Sequence, residues 1–265
     1  VCAQELQFDQ VKKARKSLRM DKPNEVQAIL SQLYKPKPSK KNDAPLVAEG
    51  TEFDDSYLEG KKAKQQDSTE YHFINGLLKL HQFEKENAKL YLKQKPETIA
   101  YFTRLYEMMD SFEKCYPSIH TLKKEDAEAK SILQQHKDNL IRGGNFYLAK
   151  HELKTALCFF NKFVLLEEKK VTESSDSLLN LSYYNCAYIA SELKDYEKVV
   201  SCCNILLSRG EDSEKVDFLI CEALNKLERI DEWKETLQRA IKRHPNQFYF
   251  YAALIDYYLA NNENN

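Results

Sequence analysis

Glycine and proline are scarce in this chain of 265 residues, with 6 and 7 occurrences respectively. β-Sandwiches and β-barrels need many tight turns, and those turns draw heavily on both residue types. Long helices joined by short connections need few of either. Hydrophobic residues make up 42% of the chain, which is enough to build a buried core. The composition therefore predicts an all-α fold.

An excess of charge of one sign is also missing, since 40 basic residues face 41 acidic ones and the formal net charge is -1. Nucleic-acid-binding domains usually concentrate basic charge on one face. The one basic cluster, residues 35–41, is rich in Lys and Pro, as linkers are. No nucleic-acid partner is therefore expected. No apolar run reaches the ~20 residues that cross a bilayer, so no transmembrane segment is expected either.

Motifs for metal binding and catalysis are absent from the sequence. The seven Cys form no C-x-x-C pair, and no His stands at metal-ligand spacing beside them. Most of the Cys lie in amphipathic stretches, where a thiol acts as a small buried hydrophobe. Phosphate-binding Gly-rich loops and nucleophile elbows do not occur, and the six scattered His are expected at the surface. The sequence predicts no metal, no cofactor and no enzymatic activity.

The first residues, Val1-Cys2-Ala3-Gln4, are similar to the end of a secretory signal peptide, because small residues occupy the two positions that signal peptidase reads. Export to the periplasm or cell envelope is the expectation from this similarity, and a cytoplasmic location is the alternative. Cys2 is in that case a candidate for a lipid anchor.

Hydrophobic spacing predicts two irregular regions in the first half of the chain. Residues 1–66 are interpreted as a divergent helix pair, at 9–20 and 24–34, followed by a linker with one short helix around 52–64. Residues 67–136 are interpreted as irregular helices.

Three positions bound the helices of the second region. Residues 67–70 have the Asp/Ser-x-x-Glu composition of a capped helix start, with Glu70 reaching back to free backbone N–H groups. Pro96 is expected to open a further helix. Pro117 is expected to end it, because proline interrupts helical hydrogen bonding.

Residues 137–265 form repeating units that begin near residues 137, 180, 214 and 248. The last three starts are 34 residues apart, and the first lies 43 residues before the second. Each unit is predicted to contain a helix, a short turn and a second helix, except the last, which supplies one helix. Small residues occupy the places where the two helices cross, since axes ~8–10 Å apart leave no room for bulk. They include Gly144, Ala156, Ala187 and Cys221. Trp233 departs from this pattern, so the third unit is expected to pack differently.

This pattern resembles the tetratricopeptide repeat (TPR) family, whose unit has 34 residues with small residues at the crossings. Residues 137–265 carry the resemblance, and the irregular helices of residues 67–136 are interpreted as TPR-like. The resemblance implies a right-handed superhelical solenoid of stacked antiparallel helix pairs. It also implies a non-catalytic scaffold whose concave face binds a protein or peptide. The composition is similar to that of exported TPR proteins of Bacteroidetes-type bacteria.

The resemblance assigns particular places in the first helix of each pair to the concave face. The residues at those places are Asn145, Tyr184, Tyr188, Glu192, Phe218, Glu222, Asn225, Lys226, Tyr249 and Asp256, together with Ile141 and Ala252. The aromatic side chains would supply contact area, and the carboxylates would favour a partner with basic or amide groups. Ile141 stands where the family's carboxylate clamp needs a cation, so that role is not transferred.

Other interpretations of the same residues stay open. The aromatic side chains would only fill the inside of a tightly curved array if no partner binds there. The chain would alternatively be a helical sensor or regulatory module of a longer protein. It would also suit an envelope component of a nutrient- or glycan-uptake system, with aromatic rings stacking on sugars. The sequence names neither the protein or peptide partner nor the oligomeric state.

Overall fold

The computed structural model describes residues 9–33, 65–93, 97–119 and 123–260, which form eleven α-helices without a strand among them. The helices are α1 (Asp9–Arg19), α2 (Pro23–Leu33), α3 (Gln65–Lys93), α4 (Ile99–Ile119), α5 (Lys123–Ala149), α6 (Leu153–Glu168), α7 (Asp176–Glu192), α8 (Tyr196–Ser208), α9 (Glu214–Lys226), α10 (Ile230–Arg243) and α11 (Phe248–Ala260). The all-α class is confirmed. The short linker helix expected around 52–64 lies outside the described residues.

The chain divides into two compact units. The amino-terminal unit comprises Val1–Gly143 and Leu165–Glu173, and the carboxy-terminal unit comprises Gly144–Val164 and Ser174–Asn265.

In the amino-terminal unit α1 and α2 pack on each other and on α3, and α3 packs along α4. Aromatic and aliphatic side chains fill the α3–α4 interface, where the rings of Phe73 and Phe112 meet edge to face at 5.7 Å between centroids. A Cβ atom placed on Gly76 would lie 2.9 Å from the Phe112 ring. The absence of a side chain at Gly76 therefore allows α3 and α4 to approach this closely.

The capped start predicted at residues 67–70 is wrong, because α3 already begins at Gln65. The Glu70 side chain is buried, and it accepts hydrogen bonds from the backbone N–H groups of Gln10 (2.9 Å) and Val11 (3.2 Å). Those donors belong to the first turn of α1 and have no partner within that helix. The predicted capping chemistry is present, but Glu70 caps α1 and not its own helix.

The start of α4 is capped by a side chain, and its end differs from the prediction. The hydroxyl of Thr98 accepts a hydrogen bond from the backbone N–H of Tyr101 (3.2 Å) and so caps the start of α4. The helix continues to Ile119, beyond Pro117, so the expectation that this proline ends it is wrong. A proline removes one N–H donor and its ring crowds the preceding turn, but its φ angle is compatible with a helix, so the helix does not always end there. Pro96 lies outside the described residues.

In the carboxy-terminal unit α7 packs on α8, α8 on α9, α9 on α10 and α10 on α11, and α7 also contacts α9. Ser175 and Asp195 cap the starts of α7 and α8 through their side-chain oxygens. The predicted close crossing near Gly144 is confirmed, since a Cβ atom there would lie 2.7 Å from the ring of Phe160. Ala156, Ala187 and Cys221 are fully buried at the corresponding places.

Six of the eleven described helices end in the same way, with a residue of positive φ two positions after the last helical residue. After α7, for example, Lys194 N–H donates to the Ser191 carbonyl and Asp195 N–H to the Ala190 carbonyl, both at 2.9 Å. This hydrogen-bond pair defines the Schellman motif. The residues of positive φ are Asp21, His151, Lys170, Lys194, Gly210 and Glu228. Only one of them is a glycine, although glycine adopts this conformation at the lowest cost.

Candidate peptide-binding surface

The helices α7, α9 and α11 carry most of the predicted binding residues, and packing decides which of their faces reach solvent. On α7 the buried face includes Tyr183, Cys186 and Ala190, which leaves Tyr184, Tyr188 and Glu192 on the other side. Side chains four residues apart on a helix lie on one face, so these three form a continuous line.

Three of the exposed large apolar side chains in this unit belong to the predicted set. They are Tyr188, Phe218 and Tyr249, with exposed fractions of 40%, 41% and 37%. Exposed large apolar side chains mark binding surfaces when they form a contiguous patch, whereas single ones are normal at a protein surface.

Phe218, Glu222 and Tyr249 come together and are called the Phe218 cluster. The rings of Phe218 and Tyr249 lie 4.7 Å apart between centroids, with planes inclined by 50°. The Tyr249 hydroxyl donates a hydrogen bond to Oε1 of Glu222. Phe218 and Glu222 are one turn apart on α9, while Tyr249 lies in the first turn of α11. Burial, reinforced by the Glu222 carboxylate, raises the pKa of Tyr249, so its hydroxyl stays a donor at neutral pH.

The two predicted binding tyrosines of α7, Tyr184 and Tyr188, differ in their exposure. Tyr184 is half-buried, and this burial raises its pKa, with a smaller contribution from Tyr188. Leu181 is exposed on the same side of the helix and was missed by the sequence reasoning. Its spacing of three and seven residues from Tyr184 and Tyr188 is the signal that would have identified it.

The remaining predicted residues lie at the surface without joining the cluster. Asn145, Asn225, Lys226 and Asp256 are exposed, as is Glu192. Ile141 is different, because only 8% of it is accessible. Its predicted place on a binding face is wrong: a buried isoleucine contributes to the core instead.

One face of α11 is exposed and apolar, and sequence reasoning did not identify it. Phe248, Ile255 and Leu259 have exposed fractions of 77%, 52% and 65%. They recur at helical spacing in a helix of 13 residues whose one charged side chain is Asp256. The apolar composition of this helix, with one charged side chain, was the sequence signal that could have identified the exposed face.

A buried carboxylate fixes the start of α9 to the end of α10. Asp217 is fully buried and accepts hydrogen bonds from the Arg243 guanidinium, with Nε at 3.0 Å, and lies 3.0 Å from Nε2 of His244. A buried charge is stable only when it is paired in this way. The network holds the helix on which Phe218 and Glu222 lie.

The histidines do not all lie at the surface, so that expectation is wrong for part of the set. His72 is buried in the amino-terminal unit. His136 is half-buried, with its ring edge-on to Phe83 at 5.3 Å between centroids. Burial lowers the pKa of His136 because it disfavours the charged imidazolium.

The cysteines behave as the sequence predicts. All six that the structure describes are free thiols, five of them buried and Cys158 half-buried. Burial raises the pKa of Cys203 and of Cys221 to about 12, so neither is a reactive thiolate in the folded protein. Across the described residues, no three His, Cys, Asp or Glu side chains are grouped closely enough to hold a metal ion.

No protein-family model matches this chain, and no solved structure matches it. No helix in the described part of the chain is both long and apolar enough to span a membrane. Fold and surface together define an all-α protein whose adjacent helices pack on one another, with aromatic and acidic side chains exposed on its carboxy-terminal unit.

Proposed function

We propose that this protein is a non-catalytic scaffold that binds a protein or peptide through the carboxy-terminal unit. The binding surface would comprise Tyr184 and Tyr188 on α7 together with the Phe218 cluster. The observation that carries this proposal is the partial exposure of Tyr188, Phe218 and Tyr249 on three helices of one unit.

Exposed aromatic side chains favour binding for two physical reasons. Each covers a large area yet loses little conformational entropy when a partner immobilises it. Tyr188 and Tyr249 also add a hydroxyl to an apolar ring, which suits a surface that alternates between water and a partner. Burying these rings against a partner removes apolar area from water, which is favourable at roughly 25 cal/mol per Å².

The charges near these rings favour a basic or amide-rich partner. Glu192 and Glu222 lie on the aromatic-bearing helices α7 and α9, and Asp256 lies on α11. A surface with exposed carboxylates attracts cationic groups and repels acidic ones, which raises the association rate of the complementary partner.

The proposal extends to a TPR-like stacking of the helical hairpins. It is supported by the 34-residue spacing of the sequence frames, by the close crossing of Gly144 and Phe160, and by the contact of α7 with α9 in addition to α8. In such stacks the first helix of each hairpin contacts the first helix of the next.

Panning a phage-displayed library of random peptides on the immobilised chain tests this function. Calorimetry would then measure the affinity of the selected peptides for the native chain and for Tyr188→Ala/Phe218→Ala. We expect the double substitution to weaken binding by at least about tenfold, because hot-spot aromatics each contribute about 1 kcal/mol or more.

The control variant is Met20→Ala/Ile99→Ala, which removes two exposed apolar side chains from the amino-terminal unit. Far-UV circular dichroism would establish that both variants keep their helix content. Peptides that bind all three proteins equally would place the interface elsewhere, and a failure to select any peptide would contradict the proposed function.

A further inference from the structure

The Phe218 cluster combines two groups that attract cations. The face of an aromatic ring carries partial negative charge, and Phe218 and Tyr249 present two such rings 4.7 Å apart and inclined by 50°. The Glu222 carboxylate lies within hydrogen-bond reach of the Tyr249 hydroxyl at the edge of this ring pair. All three side chains are at least partly open to solvent.

The carboxylate in the cluster is only partly engaged. Its Oε1 accepts the hydrogen bond from Tyr249, while Oε2 accepts none from the residues that the structure describes. Lys226 lies one turn along α9 from Glu222 but forms no ion pair with it in the described part of the chain. Oε2 is thus available to one N–H donor of a ligand.

We propose that the Phe218 cluster is a subsite for a guanidinium group, the arginine side chain of a bound protein or peptide. The guanidinium would stack on the exposed ring of Phe218 and donate an N–H to Oε2 of Glu222. This assignment rests on the proposed function, since it names the side chain that the partner presents to the surface.

Arginine fits the cluster better than lysine does. Its guanidinium is planar, so it stacks on a ring while its edge donates hydrogen bonds, and it is more weakly hydrated than an ammonium group. A lysine ammonium would lose more hydration to gain a single carboxylate contact. The Phe218 side chain is 41% exposed, which leaves part of its ring open to a planar cation.

Tyr249 acts as a positioning residue in this subsite. Its hydroxyl holds the Glu222 side chain beside the rings, which reduces the rotamer entropy that the carboxylate would otherwise lose on binding. Replacement by phenylalanine keeps the ring and releases the carboxylate, so it separates these two contributions.

Nuclear magnetic resonance of the full chain, with isotope-labelled Phe and Tyr rings, tests the subsite directly. The probes are N-acetyl-arginine methylamide and its neutral isostere N-acetyl-citrulline methylamide. We expect the arginine compound to give saturable shifts of the Phe218 and Tyr249 rings, with a dissociation constant on the order of millimolar for so small a ligand. The citrulline compound should bind at least about tenfold more weakly, because it lacks the charge.

Three variants complete the experiment. Glu222→Gln should lower the affinity for the arginine compound about tenfold, and Tyr249→Phe should lower it by about threefold. Glu235→Gln removes an exposed carboxylate on α10, outside the proposed binding surface, and is expected to leave the affinity within about twofold. Equal binding of the two compounds, no saturable ring shift, or unchanged affinity in Glu222→Gln would overturn the assignment.

The two experiments distinguish failure of the arginine subsite from failure of the proposed scaffold function. Peptides that need Tyr188 and Phe218 but bind equally well after Arg→citrulline substitution would refute the arginine subsite and retain the scaffold. Saturable binding of the arginine compound without any selected peptide would retain the arginine subsite and refute the scaffold function.

Discussion

Gly76 and Gly144 each face an aromatic ring across a helix crossing, Phe112 and Phe160 respectively. Both rings are fully buried, so neither can swing into solvent to make room. A single methyl group at either glycine would displace a ring that other core side chains hold in place.

We expect Gly76→Ala and Gly144→Ala to lower the free energy of unfolding by about 1–3 kcal/mol each, despite the higher helix propensity of alanine. Urea unfolding followed by circular dichroism measures the change. Ala127→Gly, at an exposed position of α5, supplies the contrast, because there the effect is backbone propensity alone. A gain in stability in both glycine variants would mean that the rings can move.

The half-buried His136 makes stability depend on pH. Because burial places its pKa below the ordinary value of 6.5, the unfolded chain takes up this proton before the folded chain does. The His136 contribution to stability is therefore fully present above about pH 6.5 and decreases as the pH falls from there toward the lowered pKa.

In His136→Leu the loss of stability between about pH 7.5 and about pH 5.5 should be smaller than in the native chain. The comparison uses unfolding free energies of both proteins at both pH values, so that all other titrating groups cancel. His151→Leu, at an exposed turn position, is the control for the replacement of a histidine by leucine.

At the scale of the helices, α1 depends on a side chain from another element. Glu70→Ala should lower the unfolding free energy by about 1–3 kcal/mol, since the N–H groups of Gln10 and Val11 lose their acceptor. Glu70→Gln should cost less, because the amide keeps one acceptor oxygen. Amide hydrogen exchange at Gln10 and Val11 should accelerate in both variants, while Glu84→Ala at an exposed position of α3 should leave it unchanged.

The helix ends offer a second prediction at this scale. Lys194 and Glu228 have φ angles of 62° and 56°, a conformation that costs a side-chain-bearing residue ~1 kcal/mol relative to glycine. We expect Lys194→Gly and Glu228→Gly each to raise the unfolding free energy by about 0.5–1 kcal/mol. Glu235→Gly, within α10, should lower it by about 1 kcal/mol. Thermal melts that rank the three variants otherwise would contradict the assignment of these turns.

These elements also show how far sequence reasoning reaches. Hydrophobic spacing identified α1 and α2 because each buries one face, and their observed bounds lie within one residue of the predicted ones. Sequence reasoning assigned the capping role of Glu70 to the wrong helix, because the donors lie 59 and 60 residues away in the chain. The helix end predicted at Pro117 was wrong, because a proline restricts a helix without always ending it.

The candidate surface was predictable to a similar degree. Family spacing selected Phe218, Glu222 and Tyr249, but their mutual contact depends on how α9 and α11 pack, and no sequence period encodes that distance. The prediction for Ile141 was wrong because its side chain is buried, whereas the family pattern expects an exposed side chain at this position. The family pattern did not select exposed residues that lie outside its positions, such as Phe248 and Leu259.

For the whole molecule, the buried thiols provide a measure of global opening. Cys115, Cys203 and Cys221 should resist alkylation in the folded protein, because burial both blocks access and raises the pKa of each thiol. Among the six cysteines that the structure describes, half-buried Cys158 should react first, although burial raises its pKa too. Peptide mapping after timed alkylation measures the order, and early modification of Cys203 would show that the carboxy-terminal unit opens locally.

The chain has a single tryptophan, Trp233, which is buried on α10 with its ring 5.5 Å from that of Tyr257 on α11. Its fluorescence consequently originates at one place, the contact between the last two helices. Separation of α11 would expose the indole to water and move its emission to longer wavelength, while the remaining helices keep the far-ultraviolet signal nearly constant. The protein thus contains an intrinsic optical reporter for the docking of α11, the helix on which Tyr249 lies.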